Sequence, residues 1–457
     1  MLLQFAVENF LSIKEQVVLS MLVPAGVTLD PRYARRVGWK WDVLRCAAIY
    51  GANAAGKSNV IKALDVFRTL VTKGSAPDQR IGVTGFRLDP AWREKPTRFE
   101  VEVVLGDVRY SYGIELTQDT IVSEWLYRGE GDDERMLFER ERGEDGATEH
   151  RFKFGEVAGD EEQRQFVRFV AKGTPANQPF LVESRQRNVT DYGPLSDWLE
   201  RGVAVIEPHS KHLGLLSELE DSASRGFLEQ RLRAWGTGVD GVVIHRDSVD
   251  SLSGKSGVER RLIKSLVDMG VVQIGTLVDD PAVASMDGDA VSRKSLRFRH
   301  PGAGGVELFD WNDESDGTRR LMHLLPVLRQ IHQHPDGGQL LAVDELERSL
   351  HTSLTRRFVE EFLDLCASAP DTTAQMIFTT HDTNLLNGRL LPPASIWFVE
   401  KDRAGASHLY SLAEYPSEQV DALTEHLEDG YLQGRFGAIP FIASRDQLSW
   451  NPLKTGT

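Results

Sequence analysis

Cysteine is almost absent. Cys46 and Cys366 are the only two among 457 residues, which excludes a disulfide framework and a cysteine-based zinc site and suits a reducing cytoplasm. No apolar run approaches the roughly 20 residues that a membrane span needs, so no membrane partner is expected. The opening MLLQFAVENF carries Glu8 and lacks a basic stretch, so it does not read as a secretion signal. Basic charge is in deficit: 53 Lys and Arg against 68 Asp and Glu give a net charge of −15. An acidic whole does not invite nucleic acid, although a local basic patch can still bind it. No heptad pattern persists long enough for a coiled-coil arm, and there is no internal repeat or low-complexity tract. What remains is a globular composition, 41% hydrophobic and 26% charged, with length for two or three domains' worth of core.

Against that background one stretch stands out. Gly51-Ala52-Asn53-Ala54-Ala55-Gly56-Lys57-Ser58-Asn59 contains the P-loop pattern. Glycines let the backbone turn tightly and aim its N–H groups at phosphate oxygens. Lys57 is placed for the terminal phosphates, the Ser58 hydroxyl for Mg²⁺, and the helix start near Gly56 offers its positive end to an anion. The context fits. Val43 to Tyr50 is a short apolar run that reads as a buried strand. Lys57 to Val71 is spaced as a helix, with Val60, Ile61, Leu64, Phe67 and Val71 on one face.

Elsewhere the chain reads as follows. Residues 1–20 alternate apolar and polar and predict strands. Residues 86–140 predict a β-meander, with runs at Phe99–Leu105, Tyr110–Leu116 and Ile121–Tyr127. Residues 129–165, dense in Gly, Asp, Glu and Arg, predict a solvated hairpin or loop. Leu213, Leu216 and Leu219, then Phe227, Leu228, Leu232 and Trp235, are spaced for helices, and Val258–Val271 predicts another.

Three further pieces carry chemistry. Gln339–Glu345 is an apolar strand ending in two acids, the Walker B pattern. Asp344 suits Mg²⁺ through its water shell, and Glu345 is placed to polarise an attacking water. Glu314-Ser315-Asp316-Gly317-Thr318 precedes a helical pattern through Leu321, Leu324, Leu325, Leu328 and Ile331, giving a hydroxyl and free N–H groups at a helix start. Met376–His381 is a strand ending in an imidazole that can donate to a γ-phosphate. The order of the four pieces is that of one machine.

The arrangement resembles the ATP-binding-cassette ATPases of the SMC/RecF/OLD kind, and within them the bacterial RloA-like branch, many of whose members belong to phage-defence operons. The resemblance rests on Asn9-Phe10-Leu11-Ser12, the P-loop, Glu314–Thr318, Asp344–His351, Thr379-Thr380-His381-Asp382, Ile396–Asp402 and Tyr431–Pro440. It covers nearly the whole chain, except that 130–300 carries nothing specific. It implies an α/β fold: an ABC-type ATPase head with an N-terminal lobe of P-loop and β-meander (1–194), a mostly helical insertion (195–300) and a C-terminal lobe with signature, Walker B and His381 (301–457).

The same resemblance implies roles. Gly51 to Asn59 would hold the triphosphate of ATP, and Ser58 and Asp344 would serve Mg²⁺. Glu345 would be the catalytic base and His381 the switch histidine. Ser315 and Gly317 would act on nucleotide held by a second protomer, and Ser349-Leu350-His351 would cross the dimer. Gln186 is the candidate for a glutamine that senses Mg²⁺ and water. The Ser-Asp-Gly-Thr signature departs from the usual two glycines, a form RloA-like members share, and speaks against a transporter subunit. The implied product is a homo-oligomeric, cytoplasmic ATPase that senses phage infection and controls a separate effector such as a nuclease, since residues 382–457 are too few for a nuclease domain. A RecF-like, ATP-dependent DNA clamp is the alternative, with DNA as a possible partner.

Overall fold

The computed structural model describes residues 1–38, 40–76, 79–131, 133–143, 150–155, 161–210, 214–248, 283–287, 290–334, 337–416 and 426–439. The chain begins with β1 (Leu2–Glu8), β2 (Val17–Ser20), β3 (Ala34–Val37), β4 (Trp41–Leu44), β5 (Cys46–Tyr50), α1 (Lys57–Lys73) and α2 (Pro90–Arg93). There follow β6 (Thr97–Leu105), β7 (Val108–Leu116), β8 (Ile121–Glu130), β9 (Asp133–Arg142), β10 (His150–Phe154), α3 (Glu161–Gly173), α4 (Phe180–Gln186), α5 (Gly193–Asp197) and β11 (Val203–Ile206). Next come α6 (Leu215–Glu218), α7 (Ser222–Ala234), β12 (Gly241–Ser248), β13 (Val283–Asp287), β14 (Ala290–Gly302), β15 (Gly305–Asp310) and α8 (Asp316–Gln333). The last are β16 (Leu340–Val343), α9 (Thr352–Ser368), β17 (Gln375–Thr379), β18 (Ile396–Lys401), β19 (Ser407–Ser411) and α10 (Leu427–Leu432).

Two compact units emerge. The first gathers Met1–Val205, Gly338–Glu345 and Cys366–Thr457; the second gathers Ile206–Gly337 and Leu346–Leu365. The first unit holds two sheets. One is antiparallel, in the order β10-β9-β8-β7-β6-β1-β2. Its strands alternate as the sequence does: in β6 Phe99, Val101 and Val103 are buried, while Arg98, Glu100 and Glu102 lie on the wetter face. The other has the order β11-β16-β17-β5-β18-β19, and β16, β17, β5 and β18 run parallel. Every residue of β5, β16 and β17 is buried, as expected for strands covered on both faces.

Helix α1 joins the core through its apolar stripe. Val60, Ile61, Leu64, Phe67 and Val71 are all buried. Phe67 meets the rings of Phe5, Phe99 and Tyr112 at 5.8–5.9 Å, which fixes α1 against the antiparallel sheet. Each such burial is worth about 1.5–3 kcal/mol before entropy is counted. The tail closes over β18: Tyr431 and Phe436 stack on Phe398 at 5.5 and 5.9 Å.

In the second unit β14 is the centre of a small antiparallel sheet. It pairs with β12 along one edge and with β13 and β15 along the other. Among the described residues, 195–300 depart from the mostly helical expectation: β11 precedes α6 and α7, and β12, β13 and β14 follow them. The reason is local. Val242-Val243-Ile244 is β-branched, and Leu296 and Phe298 alternate with Arg297 and Arg299, a period of two. The expected helix Val258–Val271 and Leu213 lie outside the described residues. Residues 129–165 hold β9 and β10, paired antiparallel, the hairpin of the two alternatives the sequence offered.

One buried ionic network sets the position of α4. Glu124 and Arg140 are both fully buried, 3.5 Å apart. Glu124 accepts from Tyr112 Oη (2.9 Å) and from the N–H groups of Phe180 and Leu181 at the start of α4. Arg140 donates to the carbonyls of Gln178 (2.7 Å) and Pro175 (2.9 Å). Burial and the neighbouring carboxylate push the Tyr112 hydroxyl well above its ordinary pKa, so it remains a donor. Arg140→Met would leave Glu124 buried without its counter-ion, and unfolding stability should fall by about 3–5 kcal/mol. A denaturant titration with an unchanged midpoint would refute this account of the network.

Candidate nucleotide site

The site forms where β5 ends. Its partners β17 and β18 pair with it in parallel, so three strands release their chains at the same edge, where open α/β sheets take ligands. After Tyr50 the chain turns through residues 51–56 and enters α1 at Lys57. Asn53 and Ala54 are exposed, and Ala54 is left-handed at φ 63°. Gly51 and Gly56 leave no room for a side chain: a Cβ at Gly51 would lie 2.3 Å from Val399 O, and Gly56 is left-handed. Its φ is 115°, and a Cβ there would lie 2.3 Å from Ser407 Oγ and 2.8 Å from Ser12 Oγ.

Those two hydroxyls form a clasp on the loop. Ser12 Oγ accepts from Asn59 Nδ2 (2.6 Å) and meets Ser407 Oγ at 2.7 Å. Ser407 Oγ donates to the carbonyl of Ala55, and its N–H donates to Ser12 O. The Asn-Phe-Leu-Ser phrase thereby gains a physical role. Asn9 and Leu11 take positive φ, 50° and 52°, in a tight turn. Asn9 is fully buried; its Nδ2 donates to Lys95 O (2.7 Å) and its Oδ1 accepts from Phe86 N–H (2.8 Å). That anchoring delivers Ser12 to the P-loop.

Lys57 is buried and folded back. Its Nζ donates to Gly51 O (2.9 Å) and Ala52 O (3.2 Å) and lies 2.8 Å from Nε2 of His381. An ammonium only donates, so Nε2 accepts and carries no proton. The other ring nitrogen, Nδ1, lies farther from the ammonium, at 3.4 Å. His381 is exposed, whereas the two carbonyls belong to the loop itself.

The acids sit two strands away. β16 pairs with β17 and β17 with β5, so the Walker B strand lies about 10 Å from the P-loop strand, two spacings of about 4.8 Å. Asp344 is buried at 3% exposure and Glu345 half-buried. Thr379, the last residue of β17, joins them: its hydroxyl donates to Asp344 Oδ1 (2.6 Å) and accepts from the Glu345 N–H (2.8 Å). Glu345 takes φ 49°, an uncommon conformation for its type, which turns the chain sharply at the acid. His381 follows two residues after Thr379. One unit thus brings together residues 51–59, Asp344, Glu345 and His381.

Other candidates are placed differently. Ser315 and Gly317 belong to the second unit. Ser315 caps α8, accepting from the Thr318 N–H at 3.1 Å. Gly317 lets the helix start meet the following loop, since a Cβ there would lie 2.8 Å from Ser349 O. Ser315 and Asp316 are exposed. Gln186 is exposed at the end of α4 and, among the described residues, no hydrogen bond joins it to the P-loop, Asp344 or His381. Ser58 is half-buried at the start of α1. The cysteines are inert: burial pushes the Cys46 thiol well above its usual range and Cys366 to about 11. Sequence reasoning missed the roles of Ser407 and the Thr379 hydroxyl. The strand-end Thr beside a Walker B pair was a usable signal; Ser407 gave none.

The residues fit a triphosphate with its metal. The glycine cradle cannot hold a Cβ, a buried cation lines it, and a carboxylate of fixed orientation faces the same sheet edge. Thr379→Val removes the donor to buried Asp344 and the acceptor for Glu345 N–H. Stability should fall by about 1–3 kcal/mol, and nucleotide turnover should fall more than nucleotide affinity. Unchanged turnover in a steady-state phosphate-release assay would count against a role for this link.

A family model described as "AAA domain, putative AbiEii toxin, Type IV TA system" matches residues 46–387. No curated protein matches the chain. No helix among the described residues is long and apolar enough to cross a membrane. The matched span runs from the P-loop strand through α8 and Walker B to the strand-end histidine and covers well over half of the sequence. The chain belongs to that AAA-domain family, a family of P-loop ATPases of AAA/ABC type.

Proposed function

We propose that the protein binds and hydrolyses ATP as an ABC-type ATPase of the SMC/RecF/OLD kind, close to the RloA-like branch, and that ATP-driven association of protomers controls a separate effector protein such as a nuclease. The observation that carries the ATPase reading is the convergence of the Lys57 ammonium, the Thr379-bridged Asp344 and Glu345, and His381 at one edge of a parallel sheet.

In this reading residues 51–59 wrap the phosphates with backbone N–H groups, and Lys57 leaves His381 for the terminal phosphates. Mg²⁺, held by the Ser58 hydroxyl and the Asp344 carboxylate, supplies neutralisation of phosphate charge. Glu345, aimed by its strained backbone, accepts a proton from the attacking water. His381, once released, donates to the γ-phosphate. Gln186 reports on the metal and water only if α4 moves toward the loop. The exposed Ser315 and Asp316 with the adjacent Gly317 form the patch that a second protomer's nucleotide reaches. ATP then acts as interfacial glue, and hydrolysis reopens the pair, which links chemistry to assembly. The toxin–antitoxin wording of the family description supports a system of paired proteins. The step to phage sensing rests on family analogy.

Lys57→Ala should abolish ATP binding, read by calorimetry; wild-type affinity would refute the loop assignment. Glu345→Gln should keep ATP binding and cut hydrolysis by at least 100-fold, and it should run as a larger species on a sizing column with ATP and Mg²⁺. A monomer under those conditions would sink the shared-site model. Affinity capture of the same variant with ATP, followed by mass spectrometry, tests the effector: a stoichiometric second protein supports it. DNA recovered alone, lost at high salt and absent without ATP, would favour a RecF-like clamp.

A further inference from the structure

We propose that His300 is a positioning residue for the Ser315 patch: it holds Glu314, and through Glu314 the exposed Ser315 and Asp316 at the start of α8, in the conformation a second protomer's nucleotide meets. The inference rests on the shared-site reading above and adds a residue which that reading does not contain. His300 stands in β14, and Glu314 immediately precedes Ser315. His300 Nε2 lies 2.5 Å from Glu314 Oε1. A carboxylate accepts, so Nε2 carries the proton of this bond. The Glu314 side chain is 5% exposed, and a carboxylate so buried is costly unless it is hydrogen-bonded.

Local conformation makes this bond matter to Ser315. Glu314 and Ser315 are both extended, with ψ 149° and 151°. They link a short turn, Trp311–Asp313, to α8, so no helical ladder runs through them. The His300 bond ties this link to the sheet. The imidazole is itself gripped. Phe309, on β15, meets it edge-on with ring centroids 4.8 Å apart. Glu307 stands opposite His300 in the β14–β15 register but is exposed, and Nε2 turns to the buried acid. Gly238 borders the second ring nitrogen: a Cβ there would lie 3.5 Å from Nδ1. Thr237 holds that turn to α7, its hydroxyl donating to Leu232 O (2.8 Å) and accepting from the Val239 N–H (3.2 Å). Gly236 and Thr237 line the same cavity as Ser315 and Gly317. His300 therefore joins β14, the 236–238 turn and the residue before the cap. All of these belong to the second unit, whereas the P-loop, Asp344 and Glu345 belong to the first. Loss of the imidazole frees Glu314 and the cap and leaves the nucleotide-binding residues of its own chain intact.

The test uses full-length chains. His300→Ala should bind ATP as the parent does, read by calorimetry, while kcat falls roughly tenfold or more, the loss expected for a hydrogen bond to a charged group. His300→Gln, whose amide can still donate to Glu314, should recover most of that rate. His334→Gln, an exposed residue at the far end of α8, should leave it unchanged. The decisive measurement mixes chains. In the shared-site reading Lys57→Ala cannot hold ATP but keeps an intact Ser315 patch. Equal amounts of Lys57→Ala and His300→Ala should therefore hydrolyse ATP faster than the sum of the two alone, a rescue that a misfolded His300→Ala chain could not show. With Glu345→Gln still assembling under ATP, an unchanged kcat in His300→Ala, lost ATP affinity, or a mixture no faster than the sum would overturn the proposal. If instead the shared-site reading is at fault, Glu345→Gln stays monomeric with ATP and the wild-type rate per chain does not change with protein concentration; the proposal then falls with it.

Discussion

The structure depends on what completes β5. This strand carries the P-loop, yet neither of its neighbours is close to it in sequence: Met376 pairs beside Cys46, and Ile396 beside Ala48. A buried parallel strand without partners would leave its backbone groups unsatisfied, which is too costly to persist. The junction is stapled by side chains as well. Arg45, fully buried, donates to Thr372 O and Pro370 O at 2.7 Å each. Gln375 donates to the carbonyls of Leu2 (2.9 Å) and Leu44 (3.1 Å). The nucleotide loop is therefore shaped by the last third of the described chain. Closing so long a loop costs little more than closing a shorter one, because the entropy grows only with the logarithm of length.

Backbone strain collects at the motif turns. Asn9 and Leu11, Ala54, Glu345 and Ser349 all have positive φ without being glycine. Such conformations cost free energy and persist only where surroundings over-determine them. The surroundings here are specific: buried Asn9 bonds on both sides of its amide, and Thr379 holds the Glu345 N–H. Function and strain therefore share an address. Glu345 is the last residue of its segment of the first unit, and Leu346 begins the second segment of the other.

The sequence made some of this readable and hid the rest for physical reasons. The P-loop, the apolar face of α1, the meander and the leucine stripe of α8 follow from periodicity and local turn chemistry, and they form where expected. The roles of Ser407 and of the Thr379 hydroxyl come from contacts that sequence spacing does not encode. β12 to β14 were hidden by the leucine spacing upstream, which suggested helix; the arginine–apolar alternation of β14 was the stronger signal. The buried Glu124–Arg140 pair was not legible, because long polar strands give no sign of which charges face inward. Gln186 was picked by motif likeness, and from its exposed place on α4 no hydrogen bond among the described residues joins it to the P-loop, Asp344 or His381.

The contact between Lys57 and His381 explains why these motifs need each other. A lysine buried in a glycine loop is expensive unless its charge is satisfied. Without phosphate, two loop carbonyls and a neutral imidazole from the adjacent strand do that work. A neutral acceptor is weaker than a phosphate dianion, so in the proposed function a bound phosphate would take the lysine and release the histidine. The imidazole then lies at the strand end next to Thr379, whose hydroxyl already ties Asp344 to the Glu345 backbone. In the proposed function a change at the P-loop would reach the acids through one strand and two side chains, and the exchange of a lysine hydrogen bond would start it.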